Sequence, residues 1–254
     1  MQQSHYLIIG GAGGIGRALV EHLIMASSVD GIQMQLFATY HRRTPDRQAS
    51  NLNWINMDVT NEDSIQAAVA DIQSKTTHLN VVINAVGMLQ SKDNGPEKSI
   101  RQLESEFFIE NMTVNALPSL LIAKHVKPLL KAASSQSSTK DSPAIYATIS
   151  ARVGSISDNQ VGGWYSYRMS KAALNMGMKT LAIEWSRTLK NACVVVMQPG
   201  TVDTELSRPF QGNVPKAKLF TADYSAAQLL EVLSTMTVEQ SGSFVDWAGE
   251  QIPW

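Results

Sequence analysis

The chain has 254 residues, of which 44% are hydrophobic and 17% charged, and its formal net charge is −1 at pH 7. This length suits one large α/β domain, which we expect to span residues 1–254. The near-zero charge gives no electrostatic reason to expect a nucleic acid or an anionic membrane as partner. The one cysteine, Cys193, excludes an internal disulfide and is typical of a reducing compartment.

The N-terminal stretch lacks the basic residues that begin a signal peptide. No apolar run approaches the roughly 20 residues of a membrane-spanning helix. We therefore expect a soluble, cytoplasmic protein.

The first apolar run, Tyr6–Ile9, predicts a buried strand, and the glycines after it predict a nucleotide-binding turn. Glycine permits a tight turn, a close approach of the backbone to a ligand, and close packing of the next helix. That helix would present free N–H groups to a pyrophosphate. Two dinucleotide-binding glycine spacings overlap in this turn, which reads Gly10-Gly11-Ala12-Gly13-Gly14-Ile15-Gly16.

The second predicted strand, Gln33–Thr39, lacks the acidic residue that would bind the ribose 2′-hydroxyl of NAD. Tyr40 and His41 follow it, and then the cationic pair Arg42 and Arg43. Arginine makes bidentate contacts with phosphate, so the pair favours NADP(H) over NAD(H). The alternative is that these residues form a solvated basic loop.

The middle of the chain continues the alternation of strands and helices. Trp54–Met57 predicts strand three, and Thr60 with Asp63 resembles a capping box that opens a helix to about Ser74. Asn80–Asn84 predicts strand four, and the small residues after it suggest a backbone that approaches a ligand.

A long helical section is expected from about Glu97 to Lys131, with Asn115 in its apolar second half. A polar residue there indicates either a buried functional role or a helix bend. The alternation then persists to the end and predicts a doubly wound parallel sheet of about seven strands with helices on both faces, a Rossmann domain. Its remaining elements are Ala144–Ser150, Ser166–Leu189, Cys193–Gln198, Ser225–Leu233 and Ser243–Asp246.

Tyr167 and Lys171 lie four apart at the start of a predicted helix and therefore share one of its faces. A positive charge beside a phenol lowers the phenol's pKa, so the pair can act as an acid near neutral pH. The spacing alone is a common coincidence. Because the helix follows strand five, however, the pair can reach the crevice at the carboxyl ends of the strands.

These features together resemble the short-chain dehydrogenase/reductase family in its single-domain form. More narrowly, Val153–Ile156 and the segment Gly162–Lys171 are similar to the carbonyl-reductase branch, which includes sniffer and C-factor-like bacterial proteins. The resemblance runs nearly end to end, through Gly10-x-x-x-Gly14-x-Gly16, Asp58-Val59, Asn84-Ala85-Val86-Gly87, Asn115, Tyr167-x-x-x-Lys171 and Pro199-Gly200-Thr201-Val202-x-Thr204.

The resemblance implies an NADPH-dependent reductase of a small carbonyl compound, with no metal ion in the site. Tyr167 would donate the proton, Lys171 would hold the nicotinamide ribose and lower the pKa of Tyr167, and Asn115 would keep a relay water beside Lys171. Cofactor contacts are implied for Asp58 and Val59 at the adenine, for Asn84, Ala85 and Gly87 along the cofactor, and for Pro199, Gly200, Val202 and Thr204 at the nicotinamide.

Two positions depart from the family's pattern. Ile9 stands where a threonine usually begins the glycine motif, which removes a hydroxyl that stabilises the turn. Ala151 stands where a serine usually holds the substrate carbonyl, three residues before Gly154. Ser155 is the preferred replacement and Ser150 the other, or neither serves.

Other functions and assemblies stay open at the sequence level. Ala151 supports an NADP(H)-binding regulatory or signalling protein with weak or no catalysis. A methyltransferase also uses a glycine-rich turn, but the Tyr/Lys pair argues against it. Met88, Trp164 and residues 204–220 would line an apolar substrate site. The family often forms homodimers or homotetramers through two long helices, which here begin near Glu97 and Ser166.

Overall fold

A computed structural model describes residues 4–29, 33–136 and 142–254. Residues 1–3, on which the expectation about a signal peptide partly rests, lie outside this range. The strands are β1 (Ser4–Ile9), β2 (Met34–Tyr40), β3 (Leu52–Asn56), β4 (Val81–Asn84), β5 (Ala144–Ile149), β6 (Ala192–Gln198), β7 (Thr201–Val202), β8 (Leu219–Phe220) and β9 (Ser243–Asp246). The α-helices are α1 (Gly14–Val29), α2 (Glu62–Gln73), α3 (Ser105–Asn111), α4 (Leu117–Gln136), α5 (Tyr165–Thr188) and α6 (Ala222–Ser234).

Seven of the strands form one parallel sheet in the order β3-β2-β1-β4-β5-β6-β9. The predicted Rossmann fold is therefore confirmed. The chain runs outward from β1 to β3 and then returns to place β4 on the other side of β1. A ligand crevice forms at such a reversal, outside the carboxyl ends of the strands. At this point Ile9 of β1 pairs with Asn84 of β4, and the glycine turn begins at the next residue.

Both faces of the sheet are buried, which explains why its strands read as continuous apolar runs. In β1, Leu7 and Ile9 enter the core formed with α2, α4 and α5. Ile8 points to the opposite face and enters the core formed with α1 and α6. Burial of one such side chain stabilises the fold by about 2 kcal/mol. Packing against both cores fixes the positions of the strands and therefore of the loops at their carboxyl ends.

The helix after β3 begins one residue later than the capping box predicts. Asn61 is the N-cap, and its side chain accepts hydrogen bonds from Asp63 N at 3.0 Å and Ser64 N at 3.3 Å. The Thr60 hydroxyl instead donates to Asp58 Oδ1 at 2.7 Å, on the side away from the helix. The predicted cap at Thr60 is therefore wrong.

The long helical section is divided into pieces. One 3₁₀ turn (Ile100–Gln102) precedes α3, and a π-helical turn (Met112–Ala116) joins α3 to α4. The short parallel pair β7 and β8 was not expected from the sequence, and it brackets residues 203–218. Among the described residues, no helix is both long enough and apolar enough to cross a bilayer.

Candidate active site

A single continuous cleft of about 1610 Å³ follows the carboxyl edge of the sheet. It exceeds the roughly 300–1,000 Å³ of an ordinary small-molecule pocket, so it has room for a dinucleotide and a second molecule. The predicted site residues that line it are Gly10, Gly13, Gly14, Ile15, Tyr40, Arg42, Asp58, Val59, Ala85, Gly87, Ser150, Tyr167, Lys171, Pro199, Gly200, Val202 and Thr204. Those that lie behind or outside its surface are Gly11, Gly16, Arg43, Asn84, Asn115 and Ser155.

The glycine turn depends on two features that a larger side chain would disrupt, a positive φ angle and a close backbone contact. Gly10 has a φ of 77°, which favours glycine. A Cβ on Gly16 would lie 2.2 Å from Gly10 O, so α1 can pack this closely only on a residue without a side chain. The hydroxyl missing at Ile9 is replaced from β2, because Thr39 Oγ1 accepts the Gly10 N–H at 3.0 Å. The turn therefore fits a pyrophosphate despite Ile9.

The end of the cleft beside β2 is basic. Arg42 lines it, and Arg17 of α1, which the sequence did not point to, also lines the cleft. Arg43 is exposed and outside the cleft. The pKa of Asp58 is lowered, first by hydrogen bonds from the Thr60 hydroxyl and N–H and then by the nearby charges of His41 and Arg42. Guanidinium groups in a dinucleotide-binding cleft can contact phosphate.

Tyr167 and Lys171 meet at the centre of the cleft, in the first turns of α5. Both side chains are buried, 7% and 2% exposed, and Lys171 Nζ lies 5.8 Å from the centre of the Tyr167 ring. Lys171 Nζ donates to Ile149 O at 3.1 Å, which anchors it at the end of β5. Within residues 4–29, 33–136 and 142–254, Ile149 O is the hydrogen-bond acceptor of Lys171 Nζ, which leaves its other N–H groups for a ligand in the cleft.

Asn115 holds a neighbouring wall in place. It lies in the π-helical turn and binds both polar atoms of Met88, accepting its N–H at 2.7 Å and donating to its carbonyl at 2.8 Å. It also donates to Ser170 Oγ at 3.0 Å, and Ser170 in turn donates to Tyr167 O at 2.8 Å. A Cβ on Gly87 would lie 3.4 Å from Lys171 Nζ and 3.6 Å from Asn115 Oδ1. Both atoms thus border one small space.

Burial controls the titration of the pair. It lowers the pKa of Lys171 to about 8, since a charge is costly away from water. It also raises the pKa of Tyr167 above its ordinary value. The spacing of the two residues predicts that Lys171 lowers the pKa of Tyr167, but desolvation is the larger effect and has the opposite sign. A ligand that adds charge or hydrogen bonds beside Tyr167 Oη would change this balance.

Neither serine beside Ala151 projects a free hydroxyl into the cleft. Ser155 is buried, and its Oγ accepts the Asp158 N–H at 3.1 Å in a turn outside the cleft lining. Ser150 lines the cleft, but its Oγ donates to Asn175 Oδ1 at 2.7 Å. The sequence spacing favoured Ser155, whereas the geometry favours Ser150.

The part of the cleft beside Tyr167 carries aromatic side chains. Trp164 packs edge-on against Tyr167, with 6.2 Å between ring centres, and against Phe210 at 5.5 Å. Ile109 of α3 also faces this end, which the sequence analysis missed because α3 is distant in sequence. Met88 is not part of the lining, and its neighbour Leu89 is.

Trp164 itself has an unusual backbone. Its φ of 54° is the only positive value among the described non-glycine residues. A bulky side chain in this region costs about 1–3 kcal/mol and persists only where surrounding contacts enforce it. The residue stands immediately before α5, so the strain is located beside Tyr167.

A parallel sheet with a glycine turn and a cleft of this size defines a dinucleotide-binding protein of the Rossmann type. The chain matches the short chain dehydrogenase family over residues 4–214 and belongs to that family. It is therefore an oxidoreductase, and the resemblance in its motifs is confirmed.

Relatives and solved structures agree with this assignment. A 1-hydroxy-2-glutathionyl-2-methyl-3-butene dehydrogenase of Rhodococcus is 29% identical over 78% of each chain. The C-signal protein of Myxococcus xanthus is 28% identical over 70% of this chain and 95% of its own.

Two carbonyl reductase structures cover 100% of this chain and of their own. The NADPH-bound carbonyl reductase from chicken fatty liver has a TM-score of 0.84 at 28% identity. The carbonyl reductase Sniffer of Drosophila melanogaster has a TM-score of 0.84 at 26% identity. These similarities support the carbonyl-reductase branch.

Proposed function

We propose that the protein reduces a small aldehyde or ketone to an alcohol with NADPH, and that Tyr167 donates the proton. The observation that carries this proposal is the placement of Tyr167 and Lys171, both buried, in the same cleft as the glycine turn. The chicken structure, similar over its full length, contains NADPH and is a carbonyl reductase.

The chemistry divides between the cofactor and the chain. When bound, the nicotinamide would supply a hydride to the carbonyl carbon. Tyr167 Oη then gives its proton to the carbonyl oxygen, and the charge of Lys171 stabilises the phenolate that remains. With a pKa near 8, Lys171 keeps this charge at neutral pH. Its free N–H groups would also hold the ribose hydroxyls of the cofactor.

We also propose that Asn115 helps to return a proton to Tyr167 after each reduction, by binding a water molecule. Its Oδ1 and Lys171 Nζ border the space beside Gly87, where a water could accept one hydrogen bond and donate another. Such a water would pass a proton from solvent through Lys171 to Tyr167. Ser150 is the better placed of the two serines to contact the substrate oxygen, provided that its hydroxyl leaves Asn175.

The first prediction concerns the phenol. In Tyr167→Phe the ring can still pack on Trp164, but no proton donor remains. We expect kcat to fall by about 10²–10⁴-fold on any accepted carbonyl. The affinity for NADPH should change by less than about threefold. Steady-state oxidation of NADPH against a panel of carbonyl compounds measures the first quantity, and calorimetry measures the second.

Tyr165→Phe is the matched control, since this neighbouring tyrosine has Met169 rather than a lysine four residues later. It should keep wild-type kcat. Tight NADPH binding by the wild type with no turnover of any carbonyl would reject the reductase. That result would favour a regulatory protein, a reading that Ala151 and the similarity to C-signal support.

We further propose that the protein forms homodimers or homotetramers through α4 and α5. The outer faces of these helices expose large apolar side chains, which in water favours association. They are Leu117 (46% exposed), Leu120 (38%), Met169 (51%), Met176 (67%) and Ile183 (49%).

A further inference from the structure

The first turn of α5 is capped by the side chain of Glu97, which lies in a loop 69 residues earlier in the chain. Trp164 precedes the helix and provides no side-chain cap. Instead the carboxylate of Glu97, 2% exposed, accepts the Ser166 N–H at 3.1 Å through Oε2. Its Oε1 accepts the hydroxyl of Ser166, which is itself fully buried.

We infer that Glu97 is a positioning residue for Tyr167, because it fixes the turn of α5 from which the phenol enters the cleft. The inference rests on the proposed function, since it concerns Tyr167 as proton donor. Tyr167 directly follows Ser166, the residue that the carboxylate holds through two groups. A rotation or fraying of this turn would displace the phenol from the carbonyl oxygen.

The electrostatics of the contact are favourable. The first N–H groups of a helix lack partners within the helix, and the helix dipole favours an anion beside them. A buried carboxylate is costly unless hydrogen bonds compensate for the lost water. Glu97 receives these bonds from the start of α5, so the carboxylate and the helix end stabilise each other.

The main chain of Glu97 makes a second, separate contact. Its carbonyl accepts the Trp164 N–H at 2.5 Å and helps to hold the unusual φ of 54°. Arg168 holds the same loop from the other side by donating to the carbonyls of Gly162, Gly163 and Val153. These contacts do not require the Glu97 carboxylate, so the loop should keep its path when only that group is changed.

The test uses Glu97→Gln in the full chain. The substitution preserves size and one acceptor oxygen for Ser166 N–H, but removes the charge and places a donor beside the Ser166 hydroxyl. We expect kcat to fall by about tenfold or more, since a small displacement of a reacting group is costly. KM for NADPH should stay near wild type, and the melting temperature should fall by no more than about 2–4 °C, the effect of losing one helix cap. Glu104→Gln is the control, because Glu104 is exposed and makes no side-chain cap at α3.

A double-mutant cycle with Ser166→Ala identifies the path of the effect. If Glu97 acts through Ser166, the double variant should lose no more kcat than the more damaging single variant. Wild-type kcat in Glu97→Gln would overturn the inference. So would a loss of kcat accompanied by an equal loss of NADPH affinity and of thermal stability, which indicates a general structural role.

Hydrogen–deuterium exchange separates this inference from the proposed function. Amides at 165–168 should exchange faster in Glu97→Gln than in the wild type or Glu104→Gln. If the wild type turns over no carbonyl, the proposed function fails, and faster exchange still supports Glu97 as the residue that orders this turn. Unchanged exchange overturns the inference whether or not the protein is active.

Discussion

The two ends of the cleft are built in different ways. At the cofactor end, the glycine turn is one short segment, residues 10–16, and it depends on places where side chains are absent. The other end, where we propose that the substrate binds, joins separated segments. Ile109, Trp164 and Phe210 line it from different loops and helices, and Glu97 holds the start of α5 beside them. A substitution at a closely packed glycine of the glycine turn should therefore act through the backbone and the stability of the fold. Substitutions at the substrate end should act mainly on turnover.

The largest effect is expected for Gly16→Ala. The new Cβ would lie 2.2 Å from Gly10 O, and neither backbone segment can move without separating α1 from β1. Such overpacking typically costs about 1–3 kcal/mol, and a contact this short with backbone should reach or exceed that range. We expect a large decrease in the free energy of unfolding, measured by denaturant titration, with loss of NADPH binding.

Gly13→Ala is the matched control within the same turn. A Cβ on Gly13 meets no described atom within 4 Å, and this residue lines the cleft. The free energy of unfolding should change by less than about 1 kcal/mol. NADPH affinity should fall, because the methyl group occupies space beside the pyrophosphate. Equal destabilisation by both substitutions would show that the cofactor end does not depend on the packing at Gly16.

The same contrast explains what the sequence could predict. Local signals were sufficient for the seven strands of the main sheet, the glycine turn and the Tyr167–Lys171 pair, because spacing along the chain determines which of these residues share a face. Ile9 lacks the hydroxyl of the usual threonine, and Thr39 supplies one in its place. This replacement was not predictable, since it depends on the pairing of β1 with β2. The cap at Asn61 was missed because Thr60 bonds Asp58 instead.

Trp164 and several of residues 204–220 line the cleft as the sequence predicts, but the contacts that join the separated segments at the substrate end were hidden for a similar reason. No motif links Glu97 to Ser166, which are 69 residues apart. The only hint was the pair Gly162 and Gly163, which permits an unusual backbone but does not identify the residue that holds it. Spacing also favoured Ser155, whereas only the folded chain shows that Ser150 is the serine in the cleft lining.

Substitutions of Trp164 should have effects of intermediate size, and two variants separate the backbone strain at this residue from the packing of its indole ring. Trp164→Ala removes the indole but retains a side chain at positive φ, and Trp164→Gly removes both. Each variant should lose about tenfold in kcat/KM for an apolar carbonyl, because the aromatic wall beside Tyr167 is lost. Trp164→Gly should be more stable than Trp164→Ala by about 1 kcal/mol, since glycine adopts this backbone without strain.

Enzyme kinetics and denaturant unfolding of the two variants measure these effects. Phe210→Ala is the control, because it removes the opposite aromatic ring without a change in backbone strain. If the glycine variant is no more stable than the alanine variant, Trp164 is not strained. If both variants keep wild-type kcat/KM, the indole forms no part of the substrate site.

The smallest effect separates the two arginines after β2. Arg42 lines the cleft and Arg43 does not, so only Arg42 should contact a 2′-phosphate. We expect Arg42→Ala to raise the Kd for NADPH by about tenfold, which corresponds to about 1.4 kcal/mol. The Kd for NADH, which lacks this phosphate, should be unchanged. Arg43→Ala should change either Kd by less than about twofold, and calorimetry at constant ionic strength measures both.

Equal losses in the two variants would indicate a diffuse basic surface rather than a phosphate site. Equal affinity of the wild type for NADH and NADPH would contradict the preference for NADP(H).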